Sequence, residues 1–310
     1  MKKLKSLELC AGAGGQALGL EEAGFDHVCL VEIDKDACAT LRLNRPAWNV
    51  REDDLHEFSA TKYRGVDLVA GGVPCPPFSK AGKQLGAEDE RNLFDEALRI
   101  VQEAAPRAVM LENVRGLLDP VFDDYRQSIL KRLDKLGYTG EWKLINANDY
   151  GVPQLRPRAI LVALRKDLWP RFAWPSASPK PAPTVGEALK DLMEENGWNA
   201  DAWAQRANTI APTLVGGSKK HGGPDLGPTR ARAAWAKLDV EGTTIANEAP
   251  AADFTGRPRL TVRMTARLQG FPDSWKLWGA KTTSYRQVGN AFPPPVARAV
   301  GLKIKEALNG

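Results

Sequence analysis

The hydrophobic residues in the first half of the chain fall into two alternating patterns. Short apolar runs predict strands at residues 4–9, 27–31, 66–70, 108–111, 141–147 and 158–164. Between these runs, apolar residues recur at helical spacing and predict helices at residues 16–23, 35–43, 92–105 and 123–136. Strands that alternate with helices of this length predict an α/β fold with a doubly wound, mostly parallel sheet.

The pattern changes after residue 168. Five prolines between residues 170 and 183 predict a stiff connector. The stretch up to about residue 256 shows little periodicity, apart from one helix predicted near residues 230–238, and further helices are predicted before residue 269 and over residues 294–308. We therefore expect two domains: residues 1–168, completed by 275–310, and a smaller domain of residues 169–274 that includes the segment 259–272.

Composition excludes several classes of protein. The apolar fraction is 43% and no apolar run approaches the ~18 residues of a membrane span, which predicts a soluble protein. Four cysteines without C-x-x-C spacing and only three histidines argue against the common zinc patterns and a disulfide framework, so no metal is expected. The N-terminal residues contain no secretory h-region, so we expect a cytoplasmic protein.

The net charge of +5 is unevenly distributed. Residues 206–310 contain sixteen Lys and Arg against seven Asp and Glu, a net charge of +9, whereas the first 205 residues have a net charge of −4. A basic last third on a near-neutral body indicates a surface that binds a polyanion. A solvated arginine-rich surface without a ligand is the alternative interpretation.

A glycine-rich turn follows the first predicted strand. Residues 10–15 read Cys-Ala-Gly-Ala-Gly-Gly, and a predicted helix begins directly after them. Glycines let the backbone approach a ligand, and a helix N-terminus offers free N–H groups. The next strand leads to Glu32, at the distance of ~20 residues where such folds bind a ribose hydroxyl pair. Together these features predict an adenosine-type cofactor, whereas a nucleoside triphosphate is not expected because no G-x-x-x-x-G-K-[ST] motif is present.

Two candidate reactive groups come at the ends of predicted strands. Cys75 lies between prolines on a stiffened loop, where a cysteine is either a nucleophile or a buried structural thiol. Glu112 ends the predicted strand at 108–111 and would be a proton donor beside it, or a solvated strand end. Arg156 and Arg158 are two residues apart on an extended segment, so both should face the same side and could clamp an anion or a carbonyl oxygen. Surface salt bridges are the alternative for this arginine pair.

Six short segments, in order, resemble the cytosine-C5 DNA methyltransferases of the bacterial type II modification kind. Residues 9–15 are similar to the family's cofactor loop, residues 74–79 to its nucleophile loop, and residues 112–114 to its Glu-Asn-Val triplet. The remaining matches are the Gln-x-Arg-x-Arg segment, the segment after the variable region and the closing motif, at residues 154–158, 259–272 and 285–290. The resemblance covers nearly all of the chain apart from about residues 166–256.

The resemblance implies a specific chemistry. The Cys75 thiolate would attack C6 of a cytosine while Glu112 protonates or hydrogen-bonds N3, and C5 would then take a methyl group from S-adenosyl-L-methionine, leaving S-adenosyl-L-homocysteine. Arg158 would contact the cytosine O2, and Arg156 would support the nucleophile loop. Because the ring is inaccessible inside a stacked duplex, the base must be flipped out.

The resemblance also implies a cofactor site within a Rossmann-like fold. Glu32 would bind the ribose hydroxyls and Asp54 the adenine amino group. The other implied cofactor residues are Cys10, Ala11, Gly12, Gly14, Gly15, Ile33, Leu55, Pro74, Leu93, Asn290 and Ala291. Cys10 and Ile33 stand where many family members have aromatic residues, so cofactor binding should survive on a smaller apolar surface.

The variable region would be a target-recognition domain that binds double-stranded DNA. The predicted DNA-binding residues are Ser79, Lys83, Gln84, Thr213, Leu214, Lys219, Lys220, Arg230 and Arg232. Pro76 stands where some members carry a glutamine that helps flipping, so that role should lie in the variable region. The resemblance implies a monomer that acts on the DNA of a bacterial cell. It also implies a cognate restriction endonuclease, encoded nearby, as a partner. The alternatives are the tRNA-methylating branch of the family and a non-catalytic, cofactor-sensing DNA-binding protein.

Overall fold

The computed structural model describes residues 3–74, 93–217 and 223–310. Its central sheet has seven strands in the order β3-β2-β1-β4-β5-β7-β6. The strands are β1 (Leu4–Leu9), β2 (Phe25–Glu32), β3 (Val50–Glu52), β4 (Leu68–Gly72), β5 (Ala108–Val114), β6 (Tyr138–Asn146) and β7 (Pro157–Arg165). Only β7 runs against its neighbours, β5 and β6, so the prediction of a mostly parallel α/β sheet is confirmed.

Ten α-helices occur in the described ranges. They are α1 (Gly15–Ala23), α2 (Lys35–Asn44), α3 (Phe94–Ala104), α4 (Asp123–Lys135), α5 (Val185–Met193), α6 (Asp201–Arg206), α7 (Thr229–Ala236), α8 (Val262–Leu268), α9 (Lys281–Asn290) and α10 (Pro294–Asn309). The six strands and four helices predicted for the first half are present, with ends that differ by at most three residues.

Three helices were not predicted: α5, α6 and α9. The start of α5 is a capping box, in which the Glu187 N–H donates to Thr184 Oγ1 over 3.2 Å and the Glu187 carboxylate accepts from the Thr184 N–H over 2.7 Å. This Thr-x-x-Glu spacing is a recognisable start signal in the sequence. By contrast, α9 buries the polar residues Ser284 and Gln287 beside Tyr285 and Val288, so its buried face does not appear as an apolar period.

The sheet is covered on both faces. Helices α3 and α4 pack on one face, and α1 and α10 pack on the other. Helices α1 and α10 come very close at Gly19, where an added Cβ would lie 2.3 Å from the Pro294 carbonyl oxygen. The C-terminal helix thus returns to pack on the first βα unit. No helix in the described ranges is long and apolar enough to cross a membrane.

A second core lies beside the sheet. Trp203 and Trp235, from the region of low periodicity, are fully buried together with Leu214 and with Tyr285 and Val288 of α9. This core therefore draws on both sides of residue 274. The division of the chain into 1–168 with 275–310 and 169–274 stays a prediction.

Candidate active site

The carboxyl ends of β4 and β5 bring Glu112 to the edge of a cavity. Gly72 on β4 is paired with Glu112 on β5, and an added Cβ at Gly72 would lie 3.3 Å from Glu112 Oε2. The antiparallel strand β7 starts beside them, so that Arg158 pairs in register with Val114. Arg158 Nε lies 2.8 Å from Glu112 Oε1, and both side chains are about nine-tenths buried.

Burial and the arginines act on Glu112 in opposite directions. Removal from water disfavours the charged carboxylate and raises its pKa, whereas Arg158 and then Arg156 lower it, and burial is the stronger effect. Burial likewise lowers the pKa of Arg158, against the attraction of Glu112. A carboxyl group with a raised pKa at the edge of a cavity is suited to donating a proton or a hydrogen bond to a bound molecule.

Asn113 supports the chain that leads to Cys75. Its side-chain amide donates to the Val73 carbonyl over 2.8 Å, and its Oδ1 accepts from the Val114 N–H over 2.8 Å. This is the contact expected of a residue that braces a loop. Pro74, the last described residue before Cys75, lines the same cavity as Glu112. Cys75 itself lies outside the described residues, as do the predicted DNA-binding residues Ser79, Lys83, Gln84, Lys219 and Lys220.

The cavity has a volume of about 280 Å³. Twelve of the thirteen predicted cofactor residues line it: Cys10, Ala11, Gly12, Gly15, Glu32, Ile33, Asp54, Leu55, Pro74, Leu93, Asn290 and Ala291. The exception is Gly14, the N-cap of α1 with φ 84°, where an added Cβ would lie 2.6 Å from Leu41 and 2.9 Å from Trp275. Gly14 therefore packs against protein and shapes the turn rather than the cavity wall.

Glu32 holds the glycine-rich turn against the end of β2. Its Oε2 accepts from the Gly12 N–H over 2.7 Å, and its Oε1 accepts from the Asp34 N–H over 2.8 Å. Burial raises the pKa of Glu32, and these N–H groups oppose that rise. The neighbouring Ile33 is 65% exposed and gives this side of the cavity an apolar wall. At such a position the carboxylate can accept hydrogen bonds from a hydroxyl pair, and the exposed apolar side chain can pack against a flat ring.

Cys10 begins the turn in a left-handed conformation with φ 50°, which is uncommon for a residue with a side chain. Burial, together with the nearby charges of Glu32, Asp54 and Glu8, raises the pKa of the Cys10 thiol. The thiol is therefore neutral near pH 7 and acts as a small apolar surface of the cavity.

Several cavity residues were missed by the sequence analysis. They are Ala13, Gln16, Val31, Asp34, Ala37, Asp53, Gly72, Arg286, Gln287 and Phe292. Glu112, which also lines the cavity, is one of the predicted catalytic residues. Arg286 is the most informative of the missed residues because its Nη2 lies 4.0 Å from Asp34 Oδ2, so that α9 faces the end of β2 across the cavity. Its position one turn before Asn290 on a helix would have indicated the same surface, had α9 been predicted.

Arg156 is fully buried, unlike Arg158. Its guanidinium donates to the carbonyl oxygens of Leu214, Gly289 and Ala291 over 2.9, 2.7 and 3.0 Å. Burial and the nearby Arg158 lower its pKa. Arg156 thus acts on the backbone around the site as a positioning residue. Its predicted support of the nucleophile loop concerns residues outside the described ranges and stays a prediction.

The described DNA-binding candidates differ in exposure. Thr213 is partly buried and donates its hydroxyl to the Leu155 carbonyl. The Leu214 side chain is fully buried in the second core, so it faces protein instead of a DNA surface. Arg230 is exposed on α7, and Arg232 borders a surface pocket with Val215. Across the described part of the chain, no group of three or more metal-binding side chains is found.

The chain is similar to known proteins along nearly its whole length. The family model described as C-5 cytosine-specific DNA methylase matches residues 4–306. The chain is 57% identical over 307 residues to the type II methyltransferase M.NgoMIV of Neisseria gonorrhoeae, which covers 98% of this chain and 97% of that protein. It is 55% identical over 316 residues to the type II methyltransferase M.NaeI of Lentzea aerocolonigenes, which covers 100% of this chain and 76% of that protein.

Solved structures with this fold are more distant in sequence. The structure is similar to that of Spodoptera frugiperda DNMT2, with a TM-score of 0.66 and 20% identity over 99% of this chain and 100% of that one. A Schizosaccharomyces pombe Dnmt2 methyltransferase also gives a TM-score of 0.66, at 18% identity, covering 98% and 99% of the two chains. At this identity the likeness establishes the fold alone.

Proposed function

The chain belongs to the C-5 cytosine-specific DNA methylase family and is a DNA cytosine-5 methyltransferase, and we propose that it acts through a covalent Cys75 intermediate on a flipped-out cytosine. The observation that carries this proposal is the arrangement of Pro74, Glu112 and Arg158. Pro74 and Glu112 line one cavity, and Arg158 is paired with Glu112 at 2.8 Å. Pro74 directly precedes Cys75 in the chain, so the predicted nucleophile follows a residue of the cavity that Glu112 also lines.

The cavity fits S-adenosyl-L-methionine. Its volume of about 280 Å³ is close to the lower end of the ~300–1,000 Å³ of small-molecule sites. Glu32 would accept from the ribose hydroxyls and Asp54 from the adenine amino group, while Ile33 and Leu55 would contact the adenine ring. When bound, the cofactor supplies an electrophilic methyl group. Its methionine end would lie along the turn at residues 10–15, near the start of α1.

The chain's own residues would activate the cytosine. The Cys75 thiolate adds to C6, and the electron density moves toward N3, where Glu112 donates a proton or a hydrogen bond. Arg158 would donate to the cytosine O2 and hold Glu112 in place. C5 is then nucleophilic and accepts the methyl group. Loss of the C5 proton to a base and departure of the Cys75 sulfur as thiolate restore the double bond between C5 and C6. A proton that was transferred to N3 returns to the Glu112 carboxylate, and neutral 5-methylcytosine is released.

DNA binding follows from the basic last third of the chain. Arg230 and Arg232 would contact phosphates or base edges near the target. The two most similar relatives reported above are named as type II methyltransferases, and we place this chain as the modification enzyme of a restriction-modification system. We propose that it acts as a monomer on each strand in turn, with a cognate endonuclease that cleaves the unmethylated site.

Covalent trapping tests the proposal. Duplex DNA with 5-fluorocytosine at the target base, incubated with S-adenosyl-L-methionine, should give a denaturation-resistant complex with the wild type and none with Cys75→Ser. Cys75→Ser should retain DNA binding but lose methyl transfer. A variant that methylates at the wild-type rate would overturn the mechanism. Bisulfite sequencing of DNA from expressing cells supplies the target site, and methyl transfer to tRNA alone would contradict the choice of DNA.

A further inference from the structure

The segment of residues 213–217 lies directly on the carboxyl end of α9. An added Cβ at Gly289 would lie 2.4 Å from both Cα and N of Gly216. An added Cβ at Gly216 would lie 2.4 Å from Asn290 Oδ1 and 2.6 Å from the Arg286 carbonyl oxygen. Neither glycine has a left-handed φ, so it is the close approach of the two backbones that requires glycine at both positions.

Polar groups fix the same contact. The buried guanidinium of Arg156 donates to the Leu214 carbonyl on one side and to the Gly289 and Ala291 carbonyls on the other. The side-chain amide of Asn290 donates to the Gly217 carbonyl over 3.2 Å. Gly289 is packed against backbone atoms of Val215 and Gly216, and Gly216 is packed against the Arg286 carbonyl oxygen and the hydrogen-bonded side chain of Asn290. Because this contact leaves no free space, the two segments should move together.

The other side of the carboxyl end of α9 forms part of the cavity wall. Arg286, Asn290 and Ala291 all line the cavity described above. The carboxyl end of α9 therefore has the cofactor cavity on one side and residues 213–217 on the other. Thr213, in that segment, is a predicted DNA-binding residue, and Val215 is 43% exposed beyond the contact.

We propose that the contact between Gly216 and Gly289, held by Arg156 and Asn290, couples occupation of the cofactor cavity to the position of the DNA-recognition segment 213–217. This inference rests on the proposed function, since it takes S-adenosyl-L-methionine as the cavity ligand and residues 213–217 as part of the DNA surface. Coupling is reciprocal: if the cofactor tightens DNA binding by some factor, DNA must tighten cofactor binding by the same factor.

A thermodynamic cycle measures this factor. S-adenosyl-L-homocysteine is titrated by calorimetry into the protein, free and saturated with a duplex that contains the site mapped by bisulfite sequencing. The coupling factor is the ratio of the two dissociation constants. We expect a factor of about 5 to 150 for the wild type. A wild type that binds neither ligand contradicts the proposed function, whereas one that binds both with a factor of one overturns only the coupling.

Two variants and a control locate the coupling. Gly216→Ala should bring the factor to about one, because the added Cβ would force residues 213–217 away from α9. A direct effect of the substitution on the affinity for S-adenosyl-L-homocysteine is present with and without DNA and cancels in the ratio. Gly116→Ala is the matched control, because an added Cβ there meets no atom within 4 Å and its factor should equal that of the wild type. If Gly216→Ala does not fold, the same ratio of dissociation constants is measured for Asn290→Ala. The direct effect of Asn290→Ala on cofactor binding is present with and without DNA, so it cancels in this ratio. A wild-type factor in the folded variant would overturn the proposal.

Discussion

Arg158 Nε lies 2.8 Å from Glu112 Oε1, although the two residues come from antiparallel strands and the whole of α4 and β6 separates them in the chain. The pair is nearly enclosed, so each charge depends on the other for compensation. A buried carboxylate that loses its partner is left with an unfavourable charge, and the loss of one member of a buried pair costs about 3–5 kcal/mol. The site is thus built on a pair that holds its geometry before any substrate arrives.

The role of Glu112 can be tested with an isosteric change. Glu112→Gln keeps the shape of the side chain but removes the carboxyl group that would transfer a proton to cytosine N3. We expect the single-turnover rate of methyl transfer to fall by ~100-fold or more, as for the loss of a general acid, with DNA affinity changed by less than ~3-fold. Glu306→Gln, on the surface of α10, is the control and should behave as the wild type. Equal rates for the two variants would remove Glu112 from the chemistry.

The cofactor site can be tested separately at Glu32. Glu32→Gln would place an amide donor against the N–H of Gly12 or Asp34. It would also remove the charge that we propose as the acceptor for the ribose hydroxyls. A hydrogen bond to a charged group contributes about 1.5–3 kcal/mol, so the dissociation constant of S-adenosyl-L-homocysteine should rise by roughly 10- to 100-fold. Calorimetric titration measures this change.

The control for this experiment is Glu52→Gln. Glu52 is paired with Glu32 in the β2–β3 register, but it is exposed and does not line the cavity. The affinity of Glu52→Gln for S-adenosyl-L-homocysteine should stay within ~2-fold of that of the wild type. A Glu32→Gln protein that binds the cofactor as tightly as Glu52→Gln would show that another group holds the ribose.

The glycine-rich turn and the acidic strand end could be predicted because their function is local. Residues 10–15 and Glu32 belong to one βαβ unit, where the spacing along the chain sets the spacing in space. Arg156 could not be predicted in the same way. Its three carbonyl acceptors are 58, 133 and 135 residues away, so its burial depends on how distant segments assemble. The extended segment predicted only that Arg156 and Arg158 face the same side.

The helix α9 was missed for a related reason. Its buried face contains Ser284 and Gln287, and the amide of Gln287 is satisfied by Thr40 and by the Trp278 carbonyl. Tertiary hydrogen bonds replace apolar contacts there, so hydrophobic periodicity is a poor guide. The fold of residues 169–256 could not be predicted because its core uses scattered tryptophans, such as Trp203 and Trp235, between short irregular segments.

The basic surface predicts a measurable salt dependence. Arg230 is exposed on α7, and Arg230→Ala should weaken DNA binding about equally for different sequences if it contacts a phosphate. The slope of log K against log salt concentration should then fall by about 1. Fluorescence anisotropy with a labelled duplex at several salt concentrations measures the slope. Arg298→Ala, an exposed arginine of α10, should leave it unchanged; equal slopes for both variants would place Arg230 off the DNA surface.

Glu8 gives a prediction about stability. It lies on β1, fully buried, and neither carboxylate oxygen has a hydrogen-bond partner within the described part of the chain. Burial raises its pKa from 4.5 to about 8, against a smaller opposing effect of the Gln16 side chain. Between pH 4.5 and about 8 the folded state therefore keeps a proton that the unfolded state has lost. The contribution of Glu8 to the free energy of unfolding is therefore fully present below pH 4.5, and it is lost as the pH rises to about 8.

Glu8→Gln should remove this dependence, because a neutral amide of the same shape does not titrate. The free energy of unfolding of the wild type should fall relative to that of the variant by up to about 1.4 kcal/mol per pH unit in this range, and the difference should level off above pH 8. Urea unfolding at half-unit steps from pH 5 to pH 9 measures it. Glu57→Gln, at an exposed position, should run parallel to the wild type. A constant difference between wild type and Glu8→Gln across the range would mean that Glu8 is already ionised in the folded protein, as it is in the unfolded chain.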